Sequence, residues 1–454
     1  MAELPDIPDP EPAPDPALDP ERRGGRQDEH RHRTALVDHT PLSSKLGPGL
    51  ITGAADDDPS GIATYSQGGA QFGFQMLWTL GFTWPLMVGI QTVSARIGRV
   101  TGEGLATNLR RLHSPRLLFF IVGLLTLANT INIAADLAAM ADAMQLLAGG
   151  HHAAWVVAFG AVSVLLQVFI PYVRYVRMLK WLTLALFAYV GTVFSVHIDW
   201  LQVFRSLVWP DMSLSRDYLT TLVAILGTTI SPYLFFWQSS QEVEELRADP
   251  GSASLKKAPQ QARAHLRRIA VDTWIGMGVS NLIAFFIMLT TAATLYVNGI
   301  TDIQTSRDAA LALRPIAGEF AFVLFAAGIV GTGLLAIPVL AGSAAYAVAG
   351  AFGWRAGLDL PLGLGWRFYG IIATSTLIGA AIGISEVNPI RALYWAAVLN
   401  GVVSVPIMIV MMRMATRHDV MGLFVVTRRL KWLAWAATAV MALAVAAMLV
   451  SSVA

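Results

Sequence analysis

The chain has 454 residues, of which 55% are hydrophobic and 14% are charged, and its mean hydropathy is +0.56. Soluble proteins carry about 25% charged residues, so this composition excludes an ordinary soluble protein and predicts one that lies mostly in lipid. The absence of cysteine excludes disulfides and thiolate metal sites, and a net charge of +2 gives no reason to expect a nucleic-acid partner.

Residues 1–44 are predicted to form a disordered cytoplasmic tail. The segment begins MAELPDIPDPEPAPDPALDPERR, in which Pro, Asp and Glu dominate. With so few large apolar side chains it cannot bury enough surface to fold. It also lacks the basic start and apolar core of a signal peptide.

Apolar runs follow from about residue 46, each long enough for the roughly 20 helical residues that cross a bilayer. Only helices satisfy their backbone groups in lipid at these lengths, so the runs predict about eleven transmembrane helices. They lie near 46–69, 74–94, 117–148, 154–172, 178–196, 219–241, 269–297, 319–349, 368–385, 392–412 and 432–452.

The positions of Lys and Arg predict the orientation of these helices. With the N-terminus inside, all but five of the 32 basic residues fall in cytoplasmic segments. The five in outer loops are Arg205, Arg216, Arg307, Arg314 and Arg391. This bias predicts a cytoplasmic N-terminus and a C-terminus outside.

The first apolar run contains TGAADDDPSG, residues 52–61, where three consecutive acids precede a proline. Pro59 cannot donate a backbone hydrogen bond and frees the carbonyl of Ala55, four residues earlier. It also pushes Asp58 away from helical angles, and Gly61 is expected to let the backbone unwind further. We therefore predict a helix broken within the membrane, with a carbonyl and a carboxylate aimed at one point. Carboxylates at that depth are expensive and are functional as a rule.

The sixth run repeats the pattern in LGTTISPYLFFWQSS. Ser231 precedes Pro232, and the carbonyl of Thr228 is freed in the same way. Thr228 and Ser231 lie three residues apart and share a helix face. A single proline kink is usually structural, but interrupted segments in matching positions of two halves point to a transporter substrate site.

The two breaks lie five helices apart, which predicts two five-helix repeats of inverted topology. The repeats are residues 45–196 and 219–412, and a last helix spans 432–452. Freed carbonyls, hydroxyls and carboxylates are oxygen ligands, which suit hard cations such as Mg²⁺, Ca²⁺ and Mn²⁺.

The segments GPGLITGAADDDPSGIATYSQ and LGTTISPYLFFWQSSQEVEE resemble the Nramp family of divalent-metal transporters. That family carries Asp-Pro-Gly-Asn after GPG in its first helix and Met-Pro-His in its sixth. The resemblance covers nearly the whole chain after the tail. It implies an all-α membrane protein with the LeuT-like fold of the APC superfamily, and a secondary transporter that works by alternating access.

The resemblance also implies a set of metal-site residues, with departures from the family pattern. Asp58 matches the metal-binding aspartate, and Gly61 stands where the family has an asparagine ligand. Thr228 stands at an alanine whose carbonyl binds metal, and Ser231 replaces the methionine. Asn400 lies about where the family has a glutamine near the ion.

Several positions that carry protons in the family hold other residue types in this chain. Tyr233 and Gln238 replace two histidines of the sixth helix and are retained as possible relay or pathway residues. Asp136 is kept in the third helix, as a relay remnant or a structural partner, while Ala139 replaces a glutamate. None of the nine histidines falls inside a predicted span, so the usual near-neutral proton carrier is missing from the membrane. We therefore expect metal entry without stoichiometric proton movement.

Loss of the thioether removes a soft ligand that discriminates against Mg²⁺. The pattern is similar to the divergent Nramp-related magnesium transporters, a prokaryotic branch, which implies the plasma (inner) membrane. A wide site lined by Asp56, Asp57, Asp58, Thr228 and Ser231 would suit partly hydrated Mg²⁺ and admit Mn²⁺. No cofactor and no obligate protein partner are expected beyond the lipid bilayer.

Other interpretations stay open. Glu242, in QEVEELR after the sixth run, belongs either to a solvated helix end or to a cation exit path. The chain could be a proton-coupled Mn²⁺/Fe²⁺ importer of the Nramp type, or a neutral amino-acid permease of the same fold. A remote alternative is an intramembrane enzyme that binds Mg-diphosphate at DDDP, although spans six to ten show no second acidic cluster.

Overall fold

A computed structural model describes residues 47–170, 183–385 and 388–453. The predicted tail, 1–44, and the start of the predicted fifth span lie outside the described residues. Within them the secondary structure is helical throughout, as predicted. The α-helices are α1 Pro48–Asp56, α2 Pro59–Phe72, α3 Leu77–Thr101, α4 Leu105–Leu112, α5 Pro115–Ala148, α6 His152–Phe169, α7 Phe187–Ser195, α8 Trp200–Val208, α9 Arg216–Thr229, α10 Pro232–Ala248, α11 Ala262–Thr294, α12 Ser306–Ala310, α13 Arg314–Ala317, α14 Ala321–Phe352, α15 Leu362–Gly383, α16 Pro389–Ala415, α17 His418–Met421 and α18 Arg428–Val453. Short 3₁₀ turns span Gly73–Met76, Thr183–Leu186, Pro259–Gln261, Tyr296–Asn298, Leu311–Leu313, Gly318–Phe320 and Gly422–Phe424.

Helix occupies most of the described part of each predicted span, apart from breaks at 57–58 and 230–231. By length and apolar composition alone, seven helical segments of the described residues can cross a membrane: Pro115–Ala148, His152–Phe169, Arg216–Ala248, Pro259–Asn298, Ser306–Phe352, Pro389–Ala415 and Arg428–Val453. An eighth is possible if the pair Leu184–Ser195 and Trp200–Val208, bent by 118°, forms one span. The predicted run 46–69 does not reach that length because it is divided into two short helices.

The first break is confined to two residues. Asp57 (φ −81°, ψ 59°) ends α1, and Asp58 (φ −76°, ψ 170°) is extended. Helix α2 then begins at Pro59, a position where the missing N–H costs nothing. The expectation that Gly61 unwinds is wrong, because the Asp58 carboxylate accepts the Gly61 N–H at 2.7 Å and caps a regular helix.

The second break has the same form. Helix α9 ends at Thr229, Ile230 (φ −115°, ψ 59°) and Ser231 (φ −74°, ψ 131°) leave the helix, and α10 begins at Pro232. Both interruptions predicted from the prolines are therefore confirmed. Breaks of this kind at membrane depth are tolerated where they line a cavity or are buried in protein.

Glycines allow the broken helices to pack closely in the centre of the protein. Helices α1 and α2 pack on α11, and α9 packs on α16. A Cβ on Gly53 of α1 would lie 2.3 Å from the carbonyl oxygen of Gly276 in α11. A Cβ on Gly227 of α9 would lie 2.1 Å from the carbonyl oxygen of Ala397 in α16. The helix axes come this close only because no side chain intervenes.

Candidate metal site at the two helix breaks

The two breaks meet in the interior of the protein. The hydroxyl of Tyr233, at the start of α10, donates towards Asp58 Oδ2 at 3.1 Å and the Ala55 carbonyl oxygen at 3.3 Å. A Cβ on Gly61 would lie 3.2 Å from Thr228 Oγ1. The structure thus brings together four predicted metal-site residues, Ala55, Asp58, Gly61 and Thr228. Tyr233, a possible relay or pathway residue, lies with them.

The Asp58 carboxylate has one oxygen committed and one available. Its Oδ1 accepts hydrogen bonds from Ser60 Oγ at 2.6 Å and from the Gly61 N–H at 2.7 Å. Its Oδ2 accepts a hydrogen bond from the Tyr233 hydroxyl. Because Oδ1 caps α2, a metal ion can bind this carboxylate through Oδ2 alone without disturbing the helix start.

Ser231 is placed differently from the expectation that it faces the ion. Its hydroxyl donates to the carbonyl oxygens of Thr228 at 2.7 Å and Gly227 at 2.9 Å. The Thr228 carbonyl that Pro232 frees is therefore taken by Ser231. Thr228 offers its side-chain hydroxyl to the break instead, beside Gly61.

Asp56 and Asp57 turn away from Asp58 and towards α11. Ser280 Oγ lies 2.6 Å from Asp56 Oδ2 and 3.1 Å from Asp57 Oδ1. The three acids do not converge, because Asp56 and Asp57 both accept from Ser280 whereas Asp58 caps α2. Ser280 carries no motif and lies more than 220 residues along the chain, so the sequence alone gave no indication of it.

Asp136 of α5 is fully buried, and neither of its carboxylate oxygens has a hydrogen-bond partner among the described residues. It lies near enough to Asp58 for the two charges to interact. Together with Asp56 and Asp57 this makes four buried acids. No Lys, Arg or His of the described residues neutralises any of them. Buried carboxylates without a counter-charge are costly and favour a bound cation.

Asn400 is committed to a partner that the sequence did not reveal. It exchanges two amide hydrogen bonds with Asn132 of α5, at 2.9 Å and 3.1 Å, and both side chains are buried. The Asn400 amide therefore joins α16 to α5. This geometry differs from the expectation that Asn400 faces the ion.

The remaining pathway candidates lie further along α10. Gln238 donates to Thr273 Oγ1 at 3.1 Å. Glu242 is fully buried and pairs with Arg268 of α11 at 2.7 Å, and Arg268 also pairs with Glu245 at 2.7 Å. The interpretation of Glu242 as a solvated helix end is wrong, because α11 covers it and supplies its counter-charge.

The arrangement is an open set of oxygen atoms rather than a preformed cage. In residues 47–170, 183–385 and 388–453, no group of three or more His, Cys, Asp or Glu side chains is placed to hold a metal ion. One carboxylate oxygen, one carbonyl and nearby hydroxyls leave coordination positions for water. Mg²⁺ retains several waters and binds through one or two carboxylates in this manner.

Comparison with known proteins gives a consistent family and fold. A family model described as natural resistance-associated macrophage protein-like (Nramp) matches residues 49–451. The chain is 28% identical over 314 residues to the divalent metal cation transporter MntH of Yersinia enterocolitica, covering 66% of this chain and 72% of that protein. It is 27% identical over 295 residues to MntH of Deinococcus radiodurans, covering 64% and 65%.

Two solved structures share the fold. The manganese transporter of Eremococcus coleocola superposes with a TM-score of 0.71 at 19% identity, covering 89% of this chain and 85% of that one. Mhp1, a nucleobase-cation-symport-1 family transporter, superposes with a TM-score of 0.53 at 17% identity, covering 90% and 93%. The LeuT-like fold that the family resemblance implied is thereby confirmed.

Proposed function

We propose a transport function from one premise: the chain belongs to the Nramp family. The protein carries divalent metal cations across a membrane by alternating access, as a secondary transporter. The observation that carries this proposal is the group of four buried acids near the two helix breaks, Asp56, Asp57, Asp58 and Asp136, which no basic side chain of the described residues neutralises. A divalent cation supplies the missing positive charge, and half-helices that meet at the breaks can move relative to each other.

In this proposal Asp58 Oδ2 and the Ala55 carbonyl form the centre of the ion site. Thr228 contributes its hydroxyl, and Asp56 and Asp57 act through water from their positions on Ser280. Ser231, Gly61 and Asn400 shape the site by their backbone, small size or packing. Gln238 and Glu242 border the path along α10.

We propose Mg²⁺ as a transported ion, together with Mn²⁺. The oxygen set supports this choice, because the groups placed together at the two breaks are carboxylate, carbonyl and hydroxyl oxygens, which suit hard cations. Relatives named as divalent metal cation transporters, and a fold neighbour named as a manganese transporter, support Mn²⁺. A proton-coupled Mn²⁺/Fe²⁺ importer is the second candidate. The intramembrane enzyme alternative has no support in a family of this kind.

The proposal keeps the topology expected from the sequence. The N-terminus lies in the cytoplasm and the C-terminus outside, in a prokaryotic plasma membrane. Residues 45–196 and 219–412 form the two inverted repeats, and 432–452 is the added helix.

Mg²⁺ is expected to be transported and to compete with Mn²⁺ in proteoliposomes. Ser231→Met should shift the preference towards Mn²⁺, because it adds a thioether and releases the Thr228 carbonyl from its hydrogen bond. Ser231→Ala is the matched control, since it releases the same carbonyl without adding sulfur. Mn²⁺ influx that ignores a large excess of Mg²⁺ would contradict the proposed selectivity.

Metal entry is expected to leave the pH inside proteoliposomes unchanged. The expectation follows from the histidines, because none of the described ones contacts the four acids and the usual near-neutral proton carrier is therefore missing. The buried carboxylates are the groups left that could carry protons. A pH dye trapped inside the vesicles measures this during Mg²⁺ or Mn²⁺ influx, with Asp58→Asn vesicles as the leak control. Internal acidification that scales with the metal gradient would favour the proton-coupled importer.

A further inference from the structure

The hydroxyl of Tyr233 touches two of the proposed ligand atoms at once. Its oxygen lies 3.1 Å from Asp58 Oδ2 and 3.3 Å from the Ala55 carbonyl oxygen. The side chain is fully buried. A phenol has a single hydrogen to donate, so hydrogen bonding satisfies only one of these acceptors well at any moment.

The two distances from the Tyr233 hydroxyl oxygen match the separation of neighbouring ligands around a small divalent ion. Six ligands at about 2.1 Å from Mg²⁺ in an octahedron are about 3.0 Å from their neighbours, and slightly more around a larger ion. The two observed separations lie close to this edge length. An ion can therefore take the place of the hydroxyl hydrogen, while the neutral phenol turns its O–H away and presents a lone pair.

Two neighbouring hydroxyls are already hydrogen-bonded elsewhere. The hydroxyl of Ser231 is bonded to the Thr228 and Gly227 carbonyls. The hydroxyl of Ser60 is bonded to Asp58 Oδ1, on the capped side of the carboxylate. Tyr233 donates its hydroxyl hydrogen to Asp58 Oδ2, the oxygen of that carboxylate left for a metal.

Resting on the proposed function, we infer that Tyr233 is a direct oxygen ligand of the transported Mg²⁺ or Mn²⁺, alongside Asp58 Oδ2 and the Ala55 carbonyl. Its phenol stays protonated when the ion binds. This makes the residue after Pro232 part of the ion's first shell in this chain.

The test compares Tyr233→Phe with wild type by calorimetric titration of Mg²⁺ and Mn²⁺ and by flux in proteoliposomes. Loss of one oxygen ligand should weaken the affinity for each ion at least about tenfold and raise KM by a similar factor, since loss of even an outer-shell partner costs roughly tenfold or more. Tyr394→Phe is the control. It also removes a tyrosine hydroxyl, one whose oxygen lies 2.8 Å from Thr221 Oγ1 and away from the two breaks.

An unchanged KM in Tyr233→Phe would overturn the assignment. A lower KM would overturn it as well, since it would show that the hydroxyl merely blocks the site. If the variant does not fold, difference infrared spectra of wild type with ring-labelled tyrosine decide the matter: Mg²⁺ should shift a tyrosine C–O band, and no shift would overturn the assignment. Wild-type protein that moves neither ion would defeat the proposed function itself, whereas transport with an unaltered Tyr233→Phe variant defeats only the ligand role.

Discussion

Asp58→Asn is expected to abolish metal flux while the protein still inserts and folds. Asparagine keeps the size of the side chain, and its oxygen can still accept the Gly61 N–H that caps α2. The substitution removes the negative charge that offsets a divalent ion in a low dielectric. Because Oδ2 is the one carboxylate oxygen of Asp58 left for a metal, no other atom of this residue can compensate.

Asp56→Asn and Asp57→Asn are the matched variants for this prediction. Both acids are tied to Ser280 and face α11, so each substitution should weaken apparent affinity and leave measurable transport. Flux of Mg²⁺ and Mn²⁺ into proteoliposomes gives the readout, and circular dichroism with size exclusion checks the fold. Wild-type flux in Asp58→Asn together with a dead Asp57→Asn would place the site one residue away from the present assignment.

The fold could be predicted from the sequence because its main determinants are local. The apolar runs give the helices, and Pro59 and Pro232 give the breaks through steric effects that act within four residues. How far the first helix unwinds after Pro59 could not be predicted. Whether Gly61 leaves the helix depends on whether a side chain caps α2, and the Asp58 carboxylate does so.

The candidate site could be predicted only in part, because its contacts join residues far apart in the chain. Asp58 and Ala55 are identified by the motif, but Tyr233 reaches them across 175 and 178 residues. Ser280 and Asn132 belong to no motif, yet they decide where Asp56, Asp57 and Asn400 point. Family resemblance places a residue near an ion, and it does not say which neighbour will occupy its hydrogen-bonding groups.

Gly53→Ala is expected to reduce transport at least about tenfold and to lower the thermal unfolding midpoint, since overpacking of a tight contact costs about 1–3 kcal/mol. The new Cβ would lie 2.3 Å from the Gly276 carbonyl oxygen and 2.4 Å from its carbon. These are backbone atoms of α11, so no side-chain rotation can relieve the overlap. Helix α1 must move away from α11 instead, and Asp56 at its end then loses the contact with Ser280.

Gly123→Ala is the matched control, because it makes the same substitution within helix α5 where a Cβ meets nothing within 4 Å. Alanine is favoured over glycine in helices by about 1 kcal/mol, so this variant should be at least as stable as wild type and transport normally. Thermal unfolding in detergent and flux in proteoliposomes are measured on both variants. If Gly53→Ala matches Gly123→Ala in both measurements, the close contact of α1 with α11 is not what holds Asp56 and Asp57 beside the ion site. If only Gly53→Ala loses transport, the packing of a glycine with no chemistry of its own sets the position of two buried acids.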